Sequence, residues 1–376
     1  MTGFEIAILV ALGFATLVAA TNMTAGPFLV DAGRPTISPL VSVLIPARNE
    51  ERTLPLCLGS LKSQSYGALE VIVCDDHSSD GTELAVRAAQ VADPRVRLIR
   101  GRDLPDGWTG KNWTCAQLAK EARGEIMLFL DADVIPGPEA IAHTVAVFER
   151  YRAEAMSAFP EQILRTLEAK AVIPLMDVLL YCFLPLQLVH RTAFPSLVAA
   201  NGQWLAFTRG AYQAVGTHEA VRGNVVEDMA LARRVKERHL KFVLLSGAGS
   251  VRCAMYSTVS EIVGGFSKNF FAGFGQRTIP FLGVLALFVA IFVIPPLGLL
   301  TSQAPFVLVG VLLNLALRLL LTWRLRHGMV SVLLHPLGAL AAVLIGLNGI
   351  RLAKLRGEVS WKGRTITLSD RRNTPS

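Results

Sequence analysis

The stretch "EIMLFLDADV", residues 125–134, decides how the chain is read. A five-residue apolar run, Ile126 to Leu130, ends abruptly in two aspartates, Asp131 and Asp133, with Pro136-Gly137 behind them. An apolar run of that length, bounded by a turn, is a strand buried on both faces. Upstream, "VSVLIPA" (41–47), "LEVIVCDD" (69–76) and "RVRLIR" (95–100) have the same character. Helically spaced segments at 50–64, 79–92 and 111–122 alternate with them. Strands alternating with helices predict an α/β fold with a mainly parallel, Rossmann-like sheet covered on both sides. Ligands of such sheets bind beyond the carboxyl ends of the strands. That is where the polar residues gather: Pro46, Arg48, Asn49 and Glu50 after the first strand, Asp75 and Asp76 after the second, Asp131 and Asp133 after the fourth.

Asp131 and Asp133 stand two apart. If strand geometry persists to the end of the run, both face one side. Two such carboxylates repel unless a cation lies near them, and Mg²⁺ or Mn²⁺ takes one or two carboxylates together with phosphate oxygens. Neither GxxxxGK[ST] nor GxGxxG follows a strand, so a P-loop and a dinucleotide fingerprint are both excluded. A diphosphate held through a divalent metal is the expectation that follows.

Outside this region the composition changes. The 376 residues are 52% hydrophobic, with a mean hydropathy of +0.45, too apolar for an ordinary soluble protein. The excess sits in "FEIAILVALGFATLVAAT" (4–21), read as an uncleaved membrane anchor because no basic residue precedes it, and in three segments near the other end. Residues 279–300 and 305–323 read as spans, with Arg318 near the end of the second and placed to snorkel. Residues 330–350 contain His335-Pro336 and read as a re-entrant hairpin broken at Pro336. This keeps the basic loop "RLRHG" and the basic tail on one side, as the positive-inside rule asks. Residues 171–189, interrupted by Pro174, Asp177 and Pro185, read as interfacial. The expected organisation is an anchor at 1–24, an α/β domain at 38–255, an interfacial linker at 256–278, membrane segments at 279–350 and a basic cytosolic tail at 351–376.

Net charge is +8, much of it beside the apolar segments, which points to a membrane surface and not to nucleic acid. The five cysteines form no CxxC pair, so neither a zinc site nor a redox couple is signalled.

Four motifs in order, "VSVLIPARNE", "VIVCDDHSSDGT", "FLDADV" and "VVEDMALARRVKE", resemble family 2 glycosyltransferases of the GT-A fold over roughly residues 40 to 250. "LPDGWTGKNWTCAQLA", "NGQWLAFTRGAYQAVG", "GFSKNFFAGFG" and the late "WKGR" resemble the membrane-anchored branch containing chlorobactene and diaponeurosporenoate glucosyltransferases, near the hopene-associated glycosyltransferases. The resemblance implies a UDP-sugar donor, a divalent metal (Mg²⁺ or Mn²⁺) and a lipid acceptor, met at the cytosolic face of the cell (inner) membrane by a multi-pass enzyme. It implies that Pro46, Asn49, Glu50, Asp75, Asp76 and Asp80 line the nucleotide pocket, and that Lys111 meets the diphosphate-sugar. Asp131 and Asp133 form the DxD pair, with Asp133 the principal metal ligand, and Asp228, beside Glu227, is the general base. Trp204, His218 and Arg222 are weaker candidates for the sugar or acceptor. "GGFSKNFFAGFGQR" stands where processive relatives carry QxxRW, which argues against polymer synthesis.

The chemistry asks for these residue types. Nucleoside diphosphate departure needs its charge neutralised, and an acceptor hydroxyl needs a base. Inverting, non-processive glucosyl transfer to a carotenoid or related terpenoid is the leading expectation. Transfer to polyprenyl phosphate, and a non-catalytic membrane scaffold on the same fold, are its alternatives.

Overall fold

The computed structural model describes residues 1–256, 258–301, 304–355, 358–361 and 364–367, with side chains as far as residue 354. The chain divides into two compact units. One comprises Pro27–Ile163 and Gln187–Met255; the other comprises Met1–Gly26, Leu164–Leu186 and Tyr256–Ser376.

The first unit carries the sheet. Its strands are β1 (Val41–Ala47), β2 (Leu69–Asp75), β3 (Val96–Arg100), β4 (Ile126–Leu130), β5 (Val134–Pro136), β6 (Ala155–Phe159), β7 (Glu161–Gln162), β8 (Trp204–Thr208), β9 (Phe242–Ser246) and β10 (Val251–Cys253). Seven of them form one sheet in the order β3-β2-β1-β4-β8-β6-β9. Every pairing is parallel except those of β8, which is antiparallel to β4 and β6. A three-stranded sheet, β5-β10-β7, stands beside it. Val43 pairs with Val71 on one side and with Leu128 on the other. Consecutive residues Val43, Leu44 and Ile45 are all fully buried, so both faces of the sheet are covered. Each such side chain contributes about 1.5–3 kcal/mol on removal from water.

The helices of this unit are short and sit where the apolar spacing places them. With α1 (Gly3–Ala25) in the other unit, they begin with α2 (Leu54–Lys62), α3 (Thr82–Ala92), α4 (Gly110–Glu121) and α5 (Ala140–Tyr151). Because β8 runs against its neighbours, its first residue, Trp204, pairs with Leu130 at the end of β4. The loop entering β8 therefore lies at the same sheet edge as the ends of β1, β2 and β4.

Residues 171–189 fall on α6 (Leu167–Val172) and α7 (Pro174–Phe183) of the second unit and on α8 (Leu186–Arg191), which from Gln187 belongs to the first; no helix of spanning length arises there. The expected domain at 38–255 is thus interrupted, because 164–186 folds with the apolar helices. The Asn22 amide on α1 donates to the Tyr181 and Leu184 carbonyls, satisfying the frayed end of α7. After α9 (Arg209–Ala214) and α10 (Glu227–Glu237), both in the first unit, come α11 (Val259–Gly273), α12 (Thr278–Phe292), α13 (Ile294–Gly298), α14 (Pro305–Leu325), α15 (Met329–Leu333) and α16 (His335–Leu355).

Three helices among the described residues are long and apolar enough to cross a membrane: Gly3–Ala25, Pro305–Leu325 and His335–Lys354. Two expectations need correction. Residues 330–350 do not form a broken hairpin: Pro336 falls in the first turn of α16, where its missing N–H costs nothing. Residues 279–300 are not one straight span: α12 stops at Phe292, ahead of Pro295-Pro296, and is bent by 119° from α11. The bend follows left-handed backbone at Gly275 (φ 66) and Gln276 (φ 59). The sharp bend thus belongs to the α11–α12 pair, and helix occupies most of the expected linker at 256–278. The Arg324 Nε donates to the Met23 carbonyl at 3.0 Å, and Gly310 lies against Leu9, so α14 and α1 run side by side in the same direction. The "RLRHG" loop is then at the end of α1 from which the chain continues to residue 27. The tail beyond 367 and Lys362-Gly363 of "WKGR" lie outside the described residues.

Glycine at 124 is a packing requirement. A Cβ there would lie 2.6 Å from the Leu40 carbonyl oxygen and the Ser42 nitrogen, whereas one at Gly59, exposed on α2, would meet nothing. Gly124→Ala should lower stability by about 2 kcal/mol, and Gly59→Ala should leave it equal or raise it by up to about 1 kcal/mol. Thermal unfolding of the two variants beside the parent checks both.

Candidate active site

The loops after β1 and β2 are zipped together. Asn49, in a left-handed conformation (φ 54), accepts from the Ser79 backbone N–H through Oδ1, at 2.9 Å, and its own N–H donates to Ser78 Oγ. The Glu50 N–H donates to Thr82 Oγ1 at 2.7 Å, and Arg48 donates to the Asp76 carbonyl at 2.6 Å. Asp75 and Asp76 are buried, and Asp75 accepts from the Ser78 N–H. Asp80 spends its carboxylate inside the loop, accepting from Thr82 and from the Glu51 N–H. Burial raises the Asp80 carboxyl, but these hydrogen bonds outweigh it and hold the group below its ordinary value. Both Asp80 carboxylate oxygens are thus engaged by the loop's own groups.

At the end of β4 the expected geometry changes. The strand stops at Leu130, so Asp131 and Asp133 lie on a turn and period-two logic no longer places them together. They serve different partners. Asp131 Oδ1 lies 2.8 Å from Lys111 Nζ, whereas Asp133 takes a hydrogen bond from Cys253, whose sulfur accepts from Gln203 Nε2 at 2.9 Å. Asp131 thus meets Lys111 and Asp133 meets Cys253, so strand alternation is not what would bring the two carboxylates to one cation. Among the described residues no group of three or more His, Cys, Asp or Glu side chains surrounds a cation position.

Lys111 also lies 3.1 Å from Glu227 Oε1. It rides on the first turn of α4, whose N-cap Thr109 accepts from the Asn112 N–H. Desolvation lowers the Lys111 ammonium, but the Asp131 and Glu227 carboxylates overcome this and hold it well above its ordinary value. Glu227 and Asp228 open α10, whose N-terminal dipole favours acids. Asp228 accepts from the Gly202 N–H at 2.9 Å and from the Met229 N–H at 2.7 Å. Its carboxyl is pushed up to about 7, first by desolvation and then by Glu227, with Lys111 and the two N–H groups pulling the other way.

Three weaker candidates separate. Trp204 is fully buried, with its indole N–H on Thr144 Oγ1 at 3.2 Å, because strand alternation turns it toward α5. His218 is 1% exposed, bonded to the Tyr212 hydroxyl at 2.6 Å and packed on Phe129. Burial, and then Lys111, lowers it to about 3, so it stays neutral. Neither is placed to touch a sugar. Arg222 is exposed, with its guanidinium beside Gly107, and its carbonyl accepts from Thr109 and Asn112.

Two positioning residues escaped the sequence reading. The fully buried Asn112 donates to the carbonyls of Val221, Arg222 and Asn224, fastening the loop before α10 to α4. Gly202 sits where a Cβ would lie 3.0 Å from Lys111 Nζ and 3.3 Å from Glu227 Oε1. Only the "NGQW" run marked it, and nothing local says that three charged groups converge on that spot.

Residues 42–168 match the family model described as Glycosyl transferase family 2. The chain carries a family 2 glycosyltransferase domain. The mainly parallel sheet covered by helices agrees with the GT-A fold class that the resemblance implies. The curated relatives include 4,4'-diaponeurosporenoate glycosyltransferase of Staphylococcus haemolyticus, 26% identical over 356 residues, covering 87% of this chain and 88% of that one. UDP-Glc:alpha-D-GlcNAc-diphosphoundecaprenol beta-1,3-glucosyltransferase WfgD of Escherichia coli is 35% identical over 96 residues, covering 26% of this chain and 36% of its own length. Among solved structures, mannosyltransferase PcManGT from Pyrobaculum calidifontis in complex with GDP-Man and Mn2+ aligns over 94% of this chain and 93% of its own at 20% identity, with a TM-score of 0.49.

Gly202→Ala should push Lys111 off its two carboxylates and lower kcat about tenfold with little change in unfolding temperature; steady-state kinetics beside thermal unfolding reads this. For transfer to a hydroxyl, Asp228 must be ionised to accept a proton. Because its pKa is raised, the rate should climb with pH and reach half its plateau near pH 7, measured as nucleotide release across the range.

Proposed function

We propose that this glycosyltransferase moves a sugar from a UDP-sugar, with UDP-glucose the leading candidate, to a hydroxyl or carboxyl of a membrane lipid of the carotenoid or terpenoid class. The observation that carries the reading is the charge arrangement at the sheet edge: one lysine held by Asp131 and Glu227, with a proton-accepting Asp228 next to them. Pro46, Asn49, Glu50, Asp75 and Asp76 would wall the nucleotide, with Asp76 reading the base. Lys111 would turn from its carboxylates toward the diphosphate as negative charge develops there.

Asp133 supplies a hard oxygen suited to Mg²⁺ or Mn²⁺, which complete their shells with phosphate oxygens and water and so need few protein ligands. Such an ion would neutralise charge on the departing diphosphate. The acceptor oxygen forms its bond to the anomeric carbon as the bond from that carbon to the diphosphate oxygen breaks. Asp228 takes the hydroxyl proton and UDP leaves with the electron pair. One displacement inverts the anomeric carbon and requires no carboxylate nucleophile. A carboxylate acceptor arrives without a proton to lose and does not need Asp228 as a base.

The relatives' names support a lipid acceptor and a UDP donor, and the apolar helices support delivery from the bilayer. A multi-pass enzyme with its catalytic unit on the cytosolic side of the cell membrane is the localisation proposed, since the basic loop after α14 lies at the end of α1 from which the chain continues to residue 27.

Purified full-length protein in lipid nanodiscs should release UDP only when a divalent metal and a terpenoid acceptor are both present. Asp133→Ala should remove this release, and Asp228→Asn should lower transfer to a hydroxyl at least ~100-fold. Full activity of Asp228→Asn on a polyprenyl phosphate would move the acceptor to that class. Absence of any UDP binding by calorimetry would leave a scaffold.

A further inference from the structure

The apolar unit contains a polar cluster that glycosyl transfer does not use. On α14, Asn314, Arg318 and Thr322 recur every fourth residue and so share one face. All three are buried, Arg318 to 1% exposure, so Arg318 does not snorkel to an interface as its place in the sequence suggests. Its single hydrogen bond runs from Nη2 to the Ser331 carbonyl at 3.3 Å; Nε and Nη1 have no partner. His335, 3% exposed at the start of α16, has no partner on either ring nitrogen, and Thr322 Oγ1 has none. The nearby acid, Asp177, is committed to His327, Nε2 to Oδ2 at 2.8 Å, and makes no ion pair with Arg318. A buried guanidinium with two unpartnered nitrogens is strongly unfavourable unless something supplies acceptors. An ionisable side chain within an apolar helix bundle is by default a ligand-directed feature.

The surroundings indicate what kind of ligand. The His335 ring packs against Phe292 at 5.0 Å, and Phe292 packs against Phe288 at 4.7 Å. Phe288 lines a narrow apolar cleft together with Leu179, Leu285 and Ala342, the last about two turns along α16 from His335. The cleft itself does not reach the surplus donors; two ring contacts, His335 on Phe292 and Phe292 on Phe288, connect them to its edge.

We infer that Arg318 and His335 bind the oxyanion head of a membrane amphiphile, a carboxylate or phosphate on an apolar chain whose tail follows Phe292 and Phe288 into this cleft. The inference is independent of the transferase acceptor: it concerns a second lipid site, inside the helix bundle.

The test uses full-length protein in phosphatidylcholine nanodiscs carrying a fluorescent fatty acid, displaced by oleate, oleyl phosphate, oleyl alcohol or inorganic phosphate. Oleate or oleyl phosphate should displace it at concentrations ~10-fold or more below those needed for oleyl alcohol, the scale of a charge-assisted hydrogen bond. Arg318→Leu should abolish that preference and His335→Phe should reduce it several-fold, while UDP affinity, as a check on folding, stays unchanged. If Arg318→Leu does not fold, His335→Phe carries the comparison alone. Equal displacement by oleyl alcohol, or a preference that survives in every variant that folds, would overturn the site. Inorganic phosphate as effective as oleyl phosphate would overturn the lipid part by making it a site for a soluble anion.

Discussion

Lys111 is the charge around which the candidate active site is organised. Two carboxylates reach it at 2.8 and 3.1 Å from different parts of the chain, Asp131 from the turn after β4 and Glu227 from the start of α10. Without that ammonium, Asp131, Glu227 and Asp228 would repel each other in a partly desolvated space. The lysine thereby holds the ends of two separate elements in register. Asp228 makes no such pair: its burial, and then the Glu227 charge, raise its proton affinity, while Lys111 pulls the other way.

The sheet makes that convergence affordable. Strands buried on both faces bring their ends to a single edge, and the reversal of β8 delivers the Asn201–Gln203 loop to the same place. Gly202 then contributes an N–H to Asp228 while leaving room for Lys111. Around the rim, Asn112 and the Asn49–Ser79 contacts hold loops whose own composition is too polar to pack. Rigid strands carry flexible polar ends, and side-chain-to-backbone hydrogen bonds restrict those ends where packing does not.

The apolar unit follows different physics. Its helices meet through small residues and close backbone approaches, such as Gly338 against the Ala171 carbonyl and Gly349 against that of Ser267. Pro295-Pro296 and Pro336 each lie in the first turn of a helix, α13 and α16, and each follows the end of the helix before it, α12 and α15.

Much of this was legible in the sequence. The continuous apolar runs at 41–47, 69–75 and 126–130 specify buried parallel strands, because few other structures consume consecutive β-branched and apolar residues. The acids that follow them specify the functional edge, because charge at the end of such a strand needs water or a partner. Asp228, beside Glu227, was recognisable only through the resemblance of "VVEDMALARRVKE" to the family motif. Other features were settled by tertiary structure alone. Trp204 and His218 are ordinary site residues by type, but burial beside Thr144, Tyr212 and Phe129 makes them core. Asp131 and Asp133 look like neighbours on one strand face in sequence, yet β4 ends at Leu130, before either of them, and Lys111 and Cys253 meet them separately. Arg318 looks like a snorkelling cation until α14 is packed and its face turns inward. Periodicity and charge are local properties that a sequence carries in full; which side chain neutralises which charge depends on segments a hundred residues apart, and only the folded chain brings those together.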